Sequence, residues 1–370
     1  MSDGTTRYLG LDVHKATIAV AVADAGSQPT LYGTIANDPS AVRKLVGQLG
    51  RAAKLSVAYE AGPTGYALHR QLVGLGVECQ VVAPALIPKR AGDRVKTDGR
   101  DAITLARLLR SGDLTPVWVP GEEDEALRDL VRARYDAKVD VLRAKHRLGK
   151  FLLRRGVQAP HEVKAWTVRY QAWLNQLTFP QAAAQVVFED YRATVRAAEE
   201  RIRRLEKDLQ RCAEDSRQIG IISALQALRG IGPLSAVTIV AETGDLRRFH
   251  NAPAFMSFTG LTSSEYSSGK SQHRGAITHA GNSYIRHVLI QAAHNARYAP
   301  NVSWEQRQRL AGLPTDLIDL GWKAQLRLHQ RYRHLVGRLG RPKAVPAVAR
   351  ELAGFVWAVG QRQYQEVAAA

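Results

Sequence analysis

Apolar residues alternate or run together over positions 8–13, 17–23 and 31–35, which predicts three consecutive strands, the first two joined by a tight turn at His14-Lys15. A helical period follows over 40–49, then a strand over 55–60, a helix over 66–75 and a strand over 77–83 closed by Pro84 and Pro88. Thr97 can cap another helix, carried onward by Ile103, Leu105, Leu108 and Leu109. Beyond a linker over 114–120, residues 122–155 read as one long helix. Phe188, Tyr191, Val195, Ala198, Ile202, Leu205, Leu209 and Cys212 then step by three and four, the seam of a coiled coil that pairs either with another chain or with the helix at 122–155. Helices are predicted at 235–242, 252–258 and 283–296, a basic helical stretch between 300 and 341, and a terminal helix over 343–359.

Three strands in a meander followed by helix, strand, helix, strand and helix is the order of an RNase H-like layer fold. The expected organisation is an α/β RNase H-like domain over 1–120, a long helix and coiled coil over 121–218, and a mostly α C-terminal domain over 219–370. A chain of 370 residues is long enough for several such units.

Charge changes the picture more than composition does. Lys and Arg number 52 against 34 Asp and Glu, a net +18, which points to a polyanionic partner. A membrane surface is the rival polyanion, but the apolar stretches 16–23 and 352–359 are too short to span a bilayer and the N-terminus lacks a basic-then-apolar signal pattern. A cytoplasmic protein without membrane partners is expected. Cys79 and Cys212, read as a strand and a heptad core position, form neither a disulfide framework nor a zinc spacing.

The candidate chemistry lies in four acids. Asp98 and Asp101 are spaced to share one face of the helix that Thr97 caps, although acids in a first turn are also what the helix dipole favours. Asp12 sits in an otherwise apolar strand, where an unpaired charge would be costly, and Glu60 ends another strand. In the RNase H-like arrangement the four converge at one sheet edge, and hard oxygen ligands from three elements suit Mg²⁺ and phosphodiester chemistry. Lys96 and Arg100 stand beside them, as phosphate contacts or as solvated cations.

Further basic positions extend the theme. Arg143, Arg147, Lys150 and Arg154 crowd the end of the long helix and fit a nucleic-acid backbone, where a solvated face is the alternative. Gly230-Ile231-Gly232 between two helices resembles a helix-hairpin-helix turn, whose amides can accept a phosphate at Gly230 and Gly232; a plain helix hairpin is the alternative. Residues 263–275 form a serine-rich polar stretch with Lys270 and Arg274, by composition a flexible loop, in which a serine beside Gly269 could also act as a nucleophile. Trp166, Tyr170 and Trp173 read as packing residues.

Gly10-Leu11-Asp12, Tyr59-Glu60-Ala61, Lys96-Thr97-Asp98 with Asp101-Ala102, Gly230-Ile231-Gly232-Pro233, Gly260-Leu261-Thr262, Tyr266-Ser267-Ser268-Gly269 and Ala280-Gly281-Asn282 run in one order from about residue 8 to residue 297. In these the chain resembles the DEDD-type transposases of bacterial insertion-sequence family one hundred and ten, which include the Piv DNA invertase. The resemblance implies a RuvC-like N-terminal domain, a coiled coil and a C-terminal transposase domain. It implies that Asp12, Glu60, Asp98 and Asp101 hold the metal and that Ser268, immediately before glycine, is the nucleophile, with Ser267 and Ser271 close by. It further implies a structured noncoding guide RNA bridging donor and target DNA, a homo-oligomer, dimer or tetramer, and a nucleoid-associated protein when active. The basic stretch at 300–341 exceeds the minimal family pattern and is either an extra nucleic-acid contact or a solvated amphipathic hairpin.

The expected function is therefore an RNA-guided insertion-sequence transposase, a DNA recombinase that cuts and rejoins DNA through a serine assisted by Mg²⁺. A RuvC-like junction nuclease using water and a non-enzymatic nucleic-acid-binding protein are the alternatives.

Overall fold

The computed structural model describes residues 6–50, 53–88, 97–268 and 271–369. The chain divides into two compact units, Met1–Pro120 and Gly121–Ala370.

In the first unit, β1 (Thr6–Val13), β2 (Thr17–Ala23), β3 (Thr30–Ala36), β4 (Lys54–Glu60) and β5 (Glu78–Val82) form one mixed sheet in the order β3-β2-β1-β4-β5. The meander β1-β2-β3 is antiparallel, whereas β4 and β5 add in parallel and need the crossover helices α1 (Pro39–Leu49) and α2 (Ala67–Gly74). Strand alternation sends Leu9, Leu11, Val57 and Tyr59 to one face, where they bury against Val42, Leu45 and Leu49 of α1 and Leu68 and Leu72 of α2. The opposite face carries small residues, Gly10, Ala19, Ala21 and Ala58, and is covered by α3 (Asp98–Ser111) through Ala102, Leu105, Ala106 and Leu109. Small residues on both sides let the helix lie close on the sheet. A Cβ on Gly10 would stand 2.1 Å from the carbonyl oxygen of Ala102.

In the second unit, α4 (Glu122–Arg154) and α6 (Ala182–Glu214) pack against each other as a long helical pair. At one end Ala144, Leu148, Phe151 and Leu152 of α4 meet Ala184, Phe188 and Val195 of α6, with Tyr170 and Leu174 of the short helix α5 (Val168–Gln176). Trp166 and Trp173 join this cluster, so the three aromatics pack, as expected. At the other end Leu127, Val131, Leu209 and Ala213 enter the core shared by α7 (Ile219–Leu225), α8 (Pro233–Thr243), α9 (Ala252–Phe258), α10 (Ser283–Ala293), α12 (Thr315–Leu339) and α13 (Arg341–Ala369), while the short α11 (Trp304–Leu310) is tied on by Gln306, whose Nε2 donates to the Ala227 carbonyl. α6 thus packs on α4 within one chain, burying Phe188, Val195 and Leu209 of the predicted seam. The buried face departs from that seam at its end: Ala213 is buried and Cys212 is exposed, because a straight helix drifts off a strict heptad and turns Cys212 outward.

The basic stretch at 300–341 contains α12, whose Leu317, Leu320, Ala324, Leu328, Tyr332 and Leu335 bury against the core while Lys323, Arg327 and Arg333 face out. The serine-rich stretch departs from the expected loop. β6 (Ser263–Ser268) and β7 (Ser271–Ile277) pair as an antiparallel ribbon, with Ser268 opposite Ser271. Every β6 residue is exposed, so the ribbon is held by its backbone hydrogen bonds and carries no apolar alternation for sequence reasoning to find.

Candidate active site

Asp12 lies one residue beyond the β1–β4 pair Leu11↔Tyr59, and Glu60 occupies the matching position on β4. Both continue the strand parity of Gly10 and Ala58, which places them on the α3 side of the sheet at the carboxyl ends of two neighbouring strands. The first turn of α3 starts at the same face. Thr97 adopts extended backbone and its hydroxyl accepts from the Arg100 amide at 3.4 Å, so the helix begins at Asp98 as expected, with Asp98 and Asp101 in its first turn.

The side chains that meet most closely are Asp12, His14 and Asp98. His14 Nε2 stands 3.4 Å from Asp12 Oδ2 and 3.3 Å from Asp98 Oδ2, and one ligand atom of each residue lies within 4.8 Å of the others. Glu60 and Asp101 are outside that tight group among the described residues. His14 is the residue that sequence reasoning passed over as part of a turn. The available signal was its spacing, since a residue two beyond Asp12 returns to the same side of an extended chain. Two carboxylates and an imidazole from β1, its turn and α3, with Glu60 and Asp101 beside them, form a donor set that fits a divalent cation.

Of the cations expected beside this edge, Arg100 is exposed on α3, and Lys96 lies outside the described residues. Arg143, Arg147, Lys150 and Arg154 are all exposed on α4, and their spacing of four, three and four keeps them on one face. Lys145, on the other side, is taken up by Glu199 at 2.7 Å.

In the second unit the ribbon has a built base. Gly260 and Gly281 have φ of +67° and +149°, and a Cβ on Gly281 would lie 2.3 Å from the carbonyl oxygen of Phe258. Asn282 caps α10 by accepting from the Ile285 amide at 3.0 Å and donates through Nδ2 to Glu242 Oε2 at 2.7 Å. Glu242, 1% exposed, also accepts from Arg132 Nε and Nη2 at 2.8 and 3.0 Å. The ribbon's outer end is polar and open. Tyr266 is 91% exposed, Ser267 Oγ donates to Glu265 Oε1 at 2.7 Å, and Ser268 is the last paired residue of β6. Lys270 and the side chain of Arg274 lie outside the described residues.

Gly230 and Gly232 flank the buried Ile231 in the turn between α7 and α8. Gly230 has φ +88° and packs on the end of α10, where a Cβ would be 2.6 Å from the Ala292 carbonyl oxygen. Gly232 caps α8 with no side-chain hydrogen bond. No helix among the described residues is long and apolar enough to cross a membrane.

Comparison with known proteins gives this geometry its context. Residues 9–155 match the DEDD transposase domain of the insertion-sequence IS110 group, whose match implies the RNase H-like fold, and residues 222–308 match the family described as Transposase IS116/IS110/IS902. The y4qE protein of Sinorhizobium fredii, provisionally named a transposase, is 40% identical over 99% of this chain and 91% of its own length. The transposase for insertion sequence element IS1533 of Leptospira borgpetersenii is 34% identical over 89% of this chain and 96% of its own. DEDD-type transposases use a divalent metal. With both domains matched in order and full-length relatives at this identity, the chain belongs to the IS110/IS116 family of DEDD-type transposases, enzymes that act on DNA.

Proposed function

We propose that the protein is a site-specific recombinase for its insertion sequence that cuts and rejoins DNA through Ser268 and is guided by a structured RNA from the element. The observation that carries the reading is the meeting of Asp12 and Asp98, brought from a strand and a helix to one sheet edge, in a chain of the DEDD transposase family. In the proposal Asp12, Glu60, Asp98 and Asp101 hold a divalent cation, Mg²⁺ or Mn²⁺. When bound, that ion withdraws charge from the scissile phosphate and the leaving oxygen.

Ser268 Oγ forms a bond to phosphorus while a deoxyribose oxygen leaves and takes up a proton, the serine having lost one. Rejoining is the reverse attack by a deoxyribose hydroxyl, so the phosphodiester energy is kept in the protein–DNA link. An exposed ribbon end beside Gly269 gives the hydroxyl the open access such an attack needs. The three-part division at 1–120, 121–218 and 219–370 then separates acids, spacer and serine. The exposed stripe Arg143, Arg147, Lys150 and Arg154 and the amides at Gly230 and Gly232 contact nucleic-acid backbone, with Lys96, Arg100, Lys270 and Arg274 near the reacting phosphates. The working form is a homo-oligomer in the cytoplasm, associated with the nucleoid when active.

The test is a denaturing gel for a protein–DNA adduct, using the full chain, a divalent cation, the element's RNA and its junction DNA. The parent is expected to give an adduct that Ser268→Ala and Asp98→Asn abolish and that Ser267→Ala and Ser271→Ala retain. Cleaved DNA without an adduct in any protein would replace this reading by the water-using nuclease.

A further inference from the structure

We infer that His14 is a nitrogen ligand of the metal centre and makes the site prefer Mn²⁺ over Mg²⁺. The inference rests on the proposed reading of the acid cluster as that centre and adds a residue and a selectivity to it. The turn that carries His14 is held by its own backbone. Its amide donates to the Thr17 carbonyl at 2.9 Å and its carbonyl accepts from Asn37 Nδ2 at 2.7 Å, so the imidazole leaves a fixed point at the end of β1.

From there Nε2 reaches 3.4 Å from Asp12 Oδ2 and 3.3 Å from Asp98 Oδ2. A charge-assisted hydrogen bond would draw such atoms to about 2.7–2.9 Å. Neighbouring donor atoms around a divalent ion with bonds of about 2.1 Å instead stand roughly 3 Å apart. His14 Nε2 is nearly equidistant from the two carboxylate oxygens, and one ligand atom of each of the three residues lies within 4.8 Å of the others, the grouping that a shared ion needs.

The chemistry of the donor decides the ion. Mg²⁺ is a hard cation that takes oxygen ligands and gives up water reluctantly, so a nitrogen in its shell is unfavourable. First-row transition ions accept imidazole together with carboxylates, and Mn²⁺ lies at the weak-binding end of that series, where an ion can still exchange with solution. A site of carboxylates alone would take either ion; adding His14 tilts it toward Mn²⁺.

The experiment uses the full chain loaded with Mn²⁺ alone and reads pulsed electron paramagnetic resonance for ¹⁴N modulation, beside competition of Mg²⁺ against Mn²⁺, in the parent, His14→Gln and Asp12→Asn. Circular dichroism checks that each variant is folded. The parent is expected to show ¹⁴N modulation that His14→Gln lacks, with the Mn²⁺-over-Mg²⁺ preference falling about tenfold. Mn²⁺ bound by the parent without ¹⁴N modulation, or modulation persisting in His14→Gln, overturns the role of His14. If Asp12→Asn abolishes binding in that case, the acid cluster stands as the metal centre. Binding unchanged in Asp12→Asn, or absent from the parent, overturns the metal-centre reading and the ligand with it.

Discussion

Gly10 of β1 and Ala102 of α3 touch backbone to backbone: a Cβ on Gly10 would lie 2.1 Å from the Ala102 carbonyl oxygen and 2.4 Å from the Ala106 amide nitrogen. This contact sets the height of α3 above the sheet, and with it the reach of Asp98 toward Asp12. Neither obstructing atom belongs to a flexible side chain, so Gly10→Ala must lift the helix. The expected cost is about 1–3 kcal/mol in urea unfolding of the first unit, with Mn²⁺ affinity reduced as Asp98 moves away. A variant as stable and as tight as the parent would show that α3 floats free of β1.

The stripe Arg143, Arg147, Lys150 and Arg154 on α4 makes a graded prediction. If all four meet phosphates, replacing them by Gln lowers the slope of log affinity against log salt for a duplex oligonucleotide by about 3.6, whatever its sequence. Circular dichroism is expected to stay unchanged, since all four are exposed. An unaltered slope would return the stripe to a solvated face.

The two cysteines are expected to separate cleanly. Cys212 is exposed on α6, whereas burial in β5 pushes the Cys79 thiol up to about 12. A disulfide reagent at neutral pH should titrate one thiol quickly and the second only on unfolding, and Cys212→Ser should remove the fast phase. Two fast thiols would mean that β5 is not packed as described.

His287 on α10 provides a pH dependence. Burial lowers its pKa first, and the charges of Lys138 and Arg134 lower it further; Lys138 Nζ is 3.4 Å from its Nε2. The folded protein therefore binds this proton less readily than the unfolded chain. The contribution is present above the ordinary histidine value of about 6.5 and is lost as pH falls from there toward the lowered value. Thermal melts of the parent should drop on acidification through that window, and His287→Gln should drop less. An equal loss in both would assign the acid sensitivity to another group.

Much of this molecule follows from local pattern. Alternation in residues 8–23, the capping threonine at 97 and the helical periods set the elements, because each is a local balance of propensity and burial that the neighbouring residues decide. Asp12, Glu60, Asp98 and Asp101 stood out since acids among apolar neighbours or in a first turn are visible without coordinates. The family resemblance rested on residues whose reasons are spatial: Gly10 under Ala102, Gly281 against Phe258, and Asn282 bonded to Glu242 forty residues away.

Tertiary structure decided what depends on a partner distant in sequence. Strand pairing turned a serine-rich stretch into a ribbon, through backbone hydrogen bonds that leave no hydrophobic period. Packing of α6 on α4 buried Ala213 and exposed Cys212, since the heptad rule fixes a seam only while the real helix keeps pace with it. The turn after β1 brought His14 to Asp98, eighty-four residues onward, and no spacing along the chain could have specified that meeting. Sequence determines which residues are able to do chemistry, and the fold determines which of them stand within a bond's reach of one another.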